Sequence, residues 1–333
     1  MNIVMFGASG MIGMYLVDEL LSHGHSVIAA GRNMQAGVYF KQRGVPYVQV
    51  DVSKAADFHV LPKKNIDVVI HLAAIMPATM KGSFPHKYFE INTLGTLNVL
   101  EYCKNCGVKQ IIYTQSHSDM GGYWGKRGLI DPYSPYAIRY GDDHTVYIIS
   151  KIAALELIKH YHVTAHLGYA VFRCPNIYSY HPNAYFYVNG KAQHVGYRWL
   201  IERARRSLPI EIWGKCNTKK DIVYVKDLTQ MIRRAIEQRI DSGIYNVSTG
   251  KGTSLEEQIL GIVQVFSPKN KPSKVIYRPE KNVNLNNHRY SIANARKDLG
   301  YQPKYSYKDM LIDMKREMQG ARFDFLKKKG KTL

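Results

Sequence analysis

Cysteine is scarce, with four in 333 residues, too few to staple a chain of this size with disulfides. Cys103 and Cys106 fall within a helical pattern, and a zinc site would need a second ligand pair that the sequence does not offer. No metal is expected. Long apolar runs are also missing: nothing approaches the roughly 20 residues that span a bilayer. No basic segment precedes the first strand-like run, Asn2 to Phe6, so a cytoplasmic protein without membrane contact is expected. Acidic residues are few, 26 Asp and Glu against 46 Lys and Arg, for a formal charge of +20. Such an excess suits anionic ligands as a class, nucleotides, phosphorylated sugars, nucleic acid or an acidic membrane, without choosing among them. The run Lys327-Lys328-Lys329-Gly330-Lys331 reads as a solvated, mobile end. With 45% apolar and 22% charged residues, the composition is that of an ordinary folded chain and excludes disorder.

Short apolar runs alternate with longer helical patterns from the start. Strands are predicted at Ile3 to Phe6, Val27 to Ala30, Tyr47 to Val50, Val68 to Leu72, Gln110 to Thr114 and Leu167 to Phe172. Helices are predicted at Met11 to Ser22, 87–105 and 143–161. Repetition of strand and helix implies an α/β fold, a doubly wound parallel sheet covered on both faces. After about Cys174 the rhythm gives way to a stretch rich in Tyr, Asn and Gly, Pro175 to Gly196, and then to shorter elements, with helical patterns at Leu228 to Ile236, Leu255 to Val265 and Tyr307 to Met318. The expected organisation is a dinucleotide-binding Rossmann domain over 1–175 and a smaller α/β substrate-binding region over 176–333, partly interwoven with the first.

Gly7, Gly10 and Gly13 stand at the junction of the first strand and first helix. There the free N–H groups of a helix N-terminus meet a pyrophosphate, and glycine permits the tight turn and close approach. The loop residues Gly7, Ser9, Gly10, Met11, Ile12 and Gly13 are the expected cofactor cradle. The second strand ends at Gly31-Arg32-Asn33 with an arginine and no carboxylate. A carboxylate there would receive the ribose hydroxyls of NAD, whereas an arginine suits the 2′-phosphate of NADP. NADP(H) is therefore favoured, with NAD(H) the alternative and an ordinary loop arginine the bland reading of Arg32.

Tyr147 and Lys151 lie four apart on one face of a predicted helix. A phenol with a pKa near 10 is a poor base at neutral pH, but a neighbouring cation stabilises its phenolate. In a chain with 25 tyrosines this spacing arises by chance, a core tyrosine beside a surface lysine. Ser116 raises its value, because it ends the strand from Gln110, where a doubly wound sheet presents ligand-binding residues.

Together these features resemble the extended short-chain dehydrogenase/reductase superfamily, in its NAD(P)-dependent nucleotide-sugar epimerase/dehydratase family. The resemblance runs through Gly7-x-x-Gly10-x-x-Gly13, Asp51-Val52, His71 to Ala74, Asn92 to Thr96, Ser116, Tyr147-x-x-x-Lys151, Arg173-x-x-Asn176, Lys220 to Asp227 and Ala295 to Pro303, nearly the whole chain. It implies that Tyr147 is the general acid/base, that Lys151 lowers its pKa and binds the nicotinamide ribose, and that Ser116 hydrogen-bonds the reacting oxygen. It implies further that Arg32, Asp51, Val52, Leu72, Ala73, Ala74 and Pro175 line the cofactor, that Asn176 meets the substrate's diphosphate side, and that the chain forms a homodimer through the helices at 87–105 and 143–161.

Departures from the family narrow the chemistry. Where dehydratases carry an Asp-Glu pair after the serine, this chain has His117 and Ser118, which disfavours dehydration. The segment from Ser116 to Tyr147 is long and holds a second tyrosine pair, Tyr136 and Tyr140, with no lysine four residues on. His194, expected to open a helix, is a candidate second acid at the substrate, as in reductases resembling the fucose synthases, against the bland reading of a loop histidine. Arg278 and Arg289 are the candidates to grip a diphosphate. The leading reading is an epimerase or keto-reductase of a nucleotide sugar. A reductase of a non-nucleotide carbonyl, and a non-catalytic NAD(P)-sensing or RNA-binding protein, are the competitors. Retention of Ser116, Tyr147 and Lys151 argues against the last, and nucleic acid is not the expected partner.

Overall fold

The computed structural model describes residues 1–141, 143–188, 190–282 and 288–326. The basic run from Lys327 lies outside them. Six strands alternate with helical crossovers: β1 (Asn2–Phe6), β2 (Ser26–Gly31), β3 (Tyr47–Gln49), β4 (Val68–His71), β5 (Gln110–Ser116) and β6 (Gly168–Cys174). The crossovers include α1 (Met11–Ser22), α2 (Gly37–Lys41), α3 (Pro85–Tyr88), α4 (Gly95–Asn105) and α5 (Asp143–Ala165). Each inner strand is almost wholly buried, β1 on four of its five residues and β4 on all four, because helices cover both faces of the sheet.

From the second part of the chain come β7 (Ile177–Tyr178), β8 (Tyr185–Val188), β9 (Lys191–His194), β10 (Ile210–Trp213), β11 (Lys219–Lys220), β12 (Val223–Tyr224) and β13 (Ser242–Asn246), then β14 (Thr253–Ser254) and β15 (Val275–Arg278). Its helices are α6 (Gly196–Arg205), α7 (Val225–Glu237), α8 (Leu255–Phe266), α9 (Ala293–Leu299) and α10 (Tyr307–Glu317). The central sheet has the order β13-β6-β5-β4-β1-β2-β3, every pair parallel. Strand order reverses between β1 and β4, the switch point at which doubly wound sheets bind ligands. This is the predicted Rossmann architecture. Its seventh strand, β13, comes from beyond residue 175, and α7 packs against α1. Near the end of the chain, Arg322 bonds to Asp18 of α1 and to the Met14 carbonyl at 3.2 Å.

Two expectations change. The helix predicted over 87–105 is interrupted by a π-helical turn, Phe89–Leu94, because buried Asn92 turns its side chain to the exit of β4. Its Oδ1 accepts from the Ile75 N–H at 2.8 Å, and its Nδ2 donates to the Ile75 carbonyl and to Ser150 Oγ at 3.0 and 3.1 Å. The Tyr-rich stretch after Pro175, at whose end His194 is expected to open a helix, also differs. Strands β8 and β9 form an antiparallel hairpin in which Tyr185 opposes His194, so His194 ends a strand and helix α6 begins only at Gly196. Three consecutive aromatics in β8, Tyr185 to Tyr187, and a ring contact from Tyr185 across to His194 favour the hairpin.

Candidate active site and cofactor cleft

The glycine loop is shaped by backbone contacts that a side chain would break. Gly7 has φ +79°, and a Cβ there would lie 2.6 Å from the Ala73 nitrogen and 2.8 Å from the Leu72 carbonyl carbon. A Cβ on Gly13 would lie 2.5 Å from the Ala8 oxygen. These glycines press the first crossover onto the exit of β4 and leave the N-terminus of α1 open, since Gly10 caps it with no side-chain hydrogen bond. Such a cradle fits a dinucleotide pyrophosphate.

At the end of β2 the surface is polar and uncharged apart from Arg32. A Cβ on Gly31 would meet the Tyr47 hydroxyl at 2.9 Å and Ser9 Oγ at 3.0 Å, and Tyr47 donates to the Asn33 carbonyl at 2.9 Å. Asp51 is turned to its own loop, accepting from the Ser53 N–H and hydroxyl at 3.1 and 2.9 Å. Val52 is buried against Gly95, where a Cβ would come within 2.8 Å of its Cγ2. Leu72, Ala73 and Ala74 are half-buried along the exit of β4, while Pro175 is buried and Asn176 exposed just beyond β6.

Ser116, Tyr147 and Lys151 converge. The Tyr147 phenol faces the Ser116 side chain, which acts to lower its pKa, and Lys151 Nζ stands over the Tyr113 ring, 3.9 Å from its centroid. Burial governs the electrostatics. It pushes the Tyr147 pKa up to about 12, against the lowering effect of Ser116. It brings Lys151 down to about 7, with Cys174 opposing the fall. The depressed tyrosine expected from a neighbouring ammonium is therefore not what the site displays: desolvation dominates, Cys174 and Asp119 add to it, and Ser116 opposes it. Cys174, at the end of β6, is the neighbour that sequence reasoning missed: burial lifts its thiol to about 12, and Lys151 partly offsets this.

The long segment after Ser116 makes one wall. Buried Asp119 pairs with buried Arg173, whose Nε lies 3.0 Å from its Oδ2, while Arg173 Nη1 donates to the Pro132 carbonyl at 2.7 Å. His117 Nδ1 lies 2.7 Å from the Tyr290 hydroxyl, which also accepts from Trp124 Nε1 at 3.1 Å. Burial holds His117 well below the usual imidazole pKa, and His288, His144 and Arg173 add to the effect, so it is neutral. Of the second tyrosine pair, Tyr136 donates to Glu156 at 2.6 Å and Tyr140 is 78% exposed. His194 is exposed and meets the Tyr185 ring at a tilt, centroids 4.1 Å apart, across its hairpin. Arg278 pairs with Glu211 at 3.3 Å, and Arg289 is exposed.

Sheet order and crossover glycines are those of enzymes of the extended short-chain dehydrogenase/reductase type, which work with NAD, and the protein is an enzyme of that class. Residues 3–248 match the NAD dependent epimerase/dehydratase family, and the chain belongs to it. A putative UDP-glucose 4-epimerase of Methanocaldococcus jannaschii is 26% identical over 77% of this chain and 79% of its own length. Among solved structures, the UDP-glucose 4-epimerase of Thermus thermophilus in complex with NAD superposes with a TM-score of 0.75 at 22% identity. It covers 96% of this chain and 100% of that one. The UDP-glucose 4-epimerase of Thermotoga maritima with UDP-glucose gives a TM-score of 0.77 at 22% identity with the same coverage. Among the described residues no helix is long and apolar enough to cross a membrane, and no group of His, Cys, Asp or Glu is arranged to hold a metal.

Proposed function

We propose that the protein is an NAD(P)-dependent epimerase or keto-reductase of a nucleotide sugar, with Ser116, Tyr147 and Lys151 as its working groups. The observation that carries this is the convergence of buried Tyr147 with Ser116, at the carboxyl end of β5 with Lys151 one turn along α5. When bound, the dinucleotide supplies and accepts hydride at the substrate's carbinol carbon. Tyr147 removes and returns the hydroxyl proton, and Ser116 steadies the charge that develops on the oxygen. Lys151, less charged than a solvated lysine while buried, holds the nicotinamide ribose. In an epimerase the same carbon is rebuilt with the opposite hand, whereas a reductase releases the alcohol.

Gly7, Ser9, Gly10, Met11, Ile12 and Gly13 cradle the pyrophosphate in this reading, and residues 176–333, with Asn176 at the diphosphate side, supply the sugar-nucleotide pocket. The absence of a carboxylate at Gly31-Arg32-Asn33 favours NADP(H), although the Thermus relative was solved with NAD. A homodimer forms through the helices at 87–105 and 143–161, where Phe89, Leu94 and Ile149 expose apolar surface, as does Val163 just beyond.

The test is to denature the purified protein, identify any released dinucleotide, and screen UDP, dTDP, GDP and CDP sugars for thermal stabilisation. Tightly held NAD⁺ supports the epimerase and exchangeable NADPH the reductase. Stabilisation by none of the sugars removes the nucleotide-sugar reading and leaves a reductase of another carbonyl.

A further inference from the structure

His144 stands three residues before Tyr147 on the same face of α5, and the two rings meet edge to face with centroids 5.4 Å apart. Its Nε2 lies 3.5 Å from Ser118 Oγ. The Ser118 N–H in turn donates to Ser116 Oγ at 3.2 Å, the side chain that Tyr147 faces. His144 is therefore tied into the group that handles the reacting oxygen, and unlike buried His117 it is exposed. Its neighbours in the site include His117, Ser118 and Tyr147.

We infer that His144, steadied by Ser118, is a second proton-transfer group of this site, acting on the carbon next to the reacting carbonyl. The inference rests on the function proposed above. The imidazole stands beside Tyr147, with ring centroids 5.4 Å apart, so a sugar whose carbinol oxygen met Tyr147 would turn a neighbouring carbon toward it. Once that sugar carries a ketone, the adjacent C–H is acidified. The proton passes to the imidazole, the C–H electron pair moves into the carbonyl, and the enolate oxygen is held by Ser116 and Tyr147. Return of a proton from the imidazole, exchanged with solvent in the interval, restores the ketone. No oxidant is consumed. Imidazole is the side chain best suited to such exchange near neutral pH.

The experiment uses the dinucleotide-loaded protein and UDP-4-keto-6-deoxyglucose as probe in deuterium oxide, following deuterium beside the ketone by NMR and, separately, loss of NADPH absorbance. Wild type is expected to exchange deuterium about 100-fold faster than buffer. His144→Gln should lose most of that excess, and Ser118→Ala part of it, with dinucleotide fluorescence in both variants reporting an intact fold. Reduction of the probe without exchange above buffer, or exchange that survives His144→Gln, overturns the inference and leaves the proposed function standing. Absence of reduction together with absence of thermal stabilisation by the probe overturns both.

Discussion

Lys151 is only 3% exposed, and the cost of keeping an ammonium there lowers its pKa from the ordinary 10.5 to about 7. Between those values the unfolded chain holds a proton that the folded chain has lost, so this group makes stability rise with pH through that window. At and below pH about 7 the full burial cost is present. Lys151→Met is expected to raise the melting temperature of the dinucleotide-free protein, most at about pH 6 to 7 and less toward pH 10. The gain is bounded by about 1.4 kcal/mol for every tenfold weakening of the ammonium's hold on its proton. Calorimetry across that range checks it, and an unchanged pH slope would show that the ammonium is not the cause. Tyr147→Phe, which keeps the ring and removes the phenol, should lower turnover on the order of 100-fold or more while dinucleotide binding survives. Asp119→Ala strands the buried Arg173 guanidinium and should cost about 3–5 kcal/mol in denaturant unfolding.

Elements were legible where their chemistry is local. The inner strands are short apolar runs, and the structure finds them within a residue or two of their predicted ends, because strands covered on both faces need no polar alternation. Glycines of the first crossover announced themselves by spacing, and their contacts explain why. Gly13→Ala should lower both dinucleotide affinity and stability, by roughly 1–3 kcal/mol, since its Cβ would collide with a main-chain oxygen; isothermal titration and thermal melts separate the two losses. The π-helical turn at Phe89–Leu94 was not legible, because a change of hydrogen-bond register leaves no mark on apolar periodicity. Ser116, Tyr147 and Lys151 could be proposed from order and spacing alone. The wall around them could not, since His117 and Tyr290 are 173 residues apart and meet only through the tertiary fold. His144 had a local signal, three residues before Tyr147, that periodicity alone could not raise above an ordinary exposed histidine.

For the whole molecule, a net charge of +20 favours anionic ligands but does not select one. Oligomeric state offers a sharper test. Leu94 is 55% and Val163 73% exposed, and in the proposed dimer both are covered. Leu94→Glu should shift the protein to monomer in light scattering. A wild type that is monomeric at micromolar concentration removes the dimer. The division at residue 175 was drawn where the rhythm of the chain changes, yet the sheet is completed by β13, whose partner β6 ends at Cys174. Pairing between segments so far apart has no sequence signature.

That late seventh strand also bears on how the protein is made. Translation delivers β6 about seventy residues before β13, an interval of several seconds at about 5–20 residues per second. A nascent chain that assembled its first six strands in that interval would carry β6 as a bare sheet edge able to pair with a passing strand. Sheltering of that edge on the ribosome, by a holdase or by the chain's own unfinished second half, is a requirement that the finished molecule conceals.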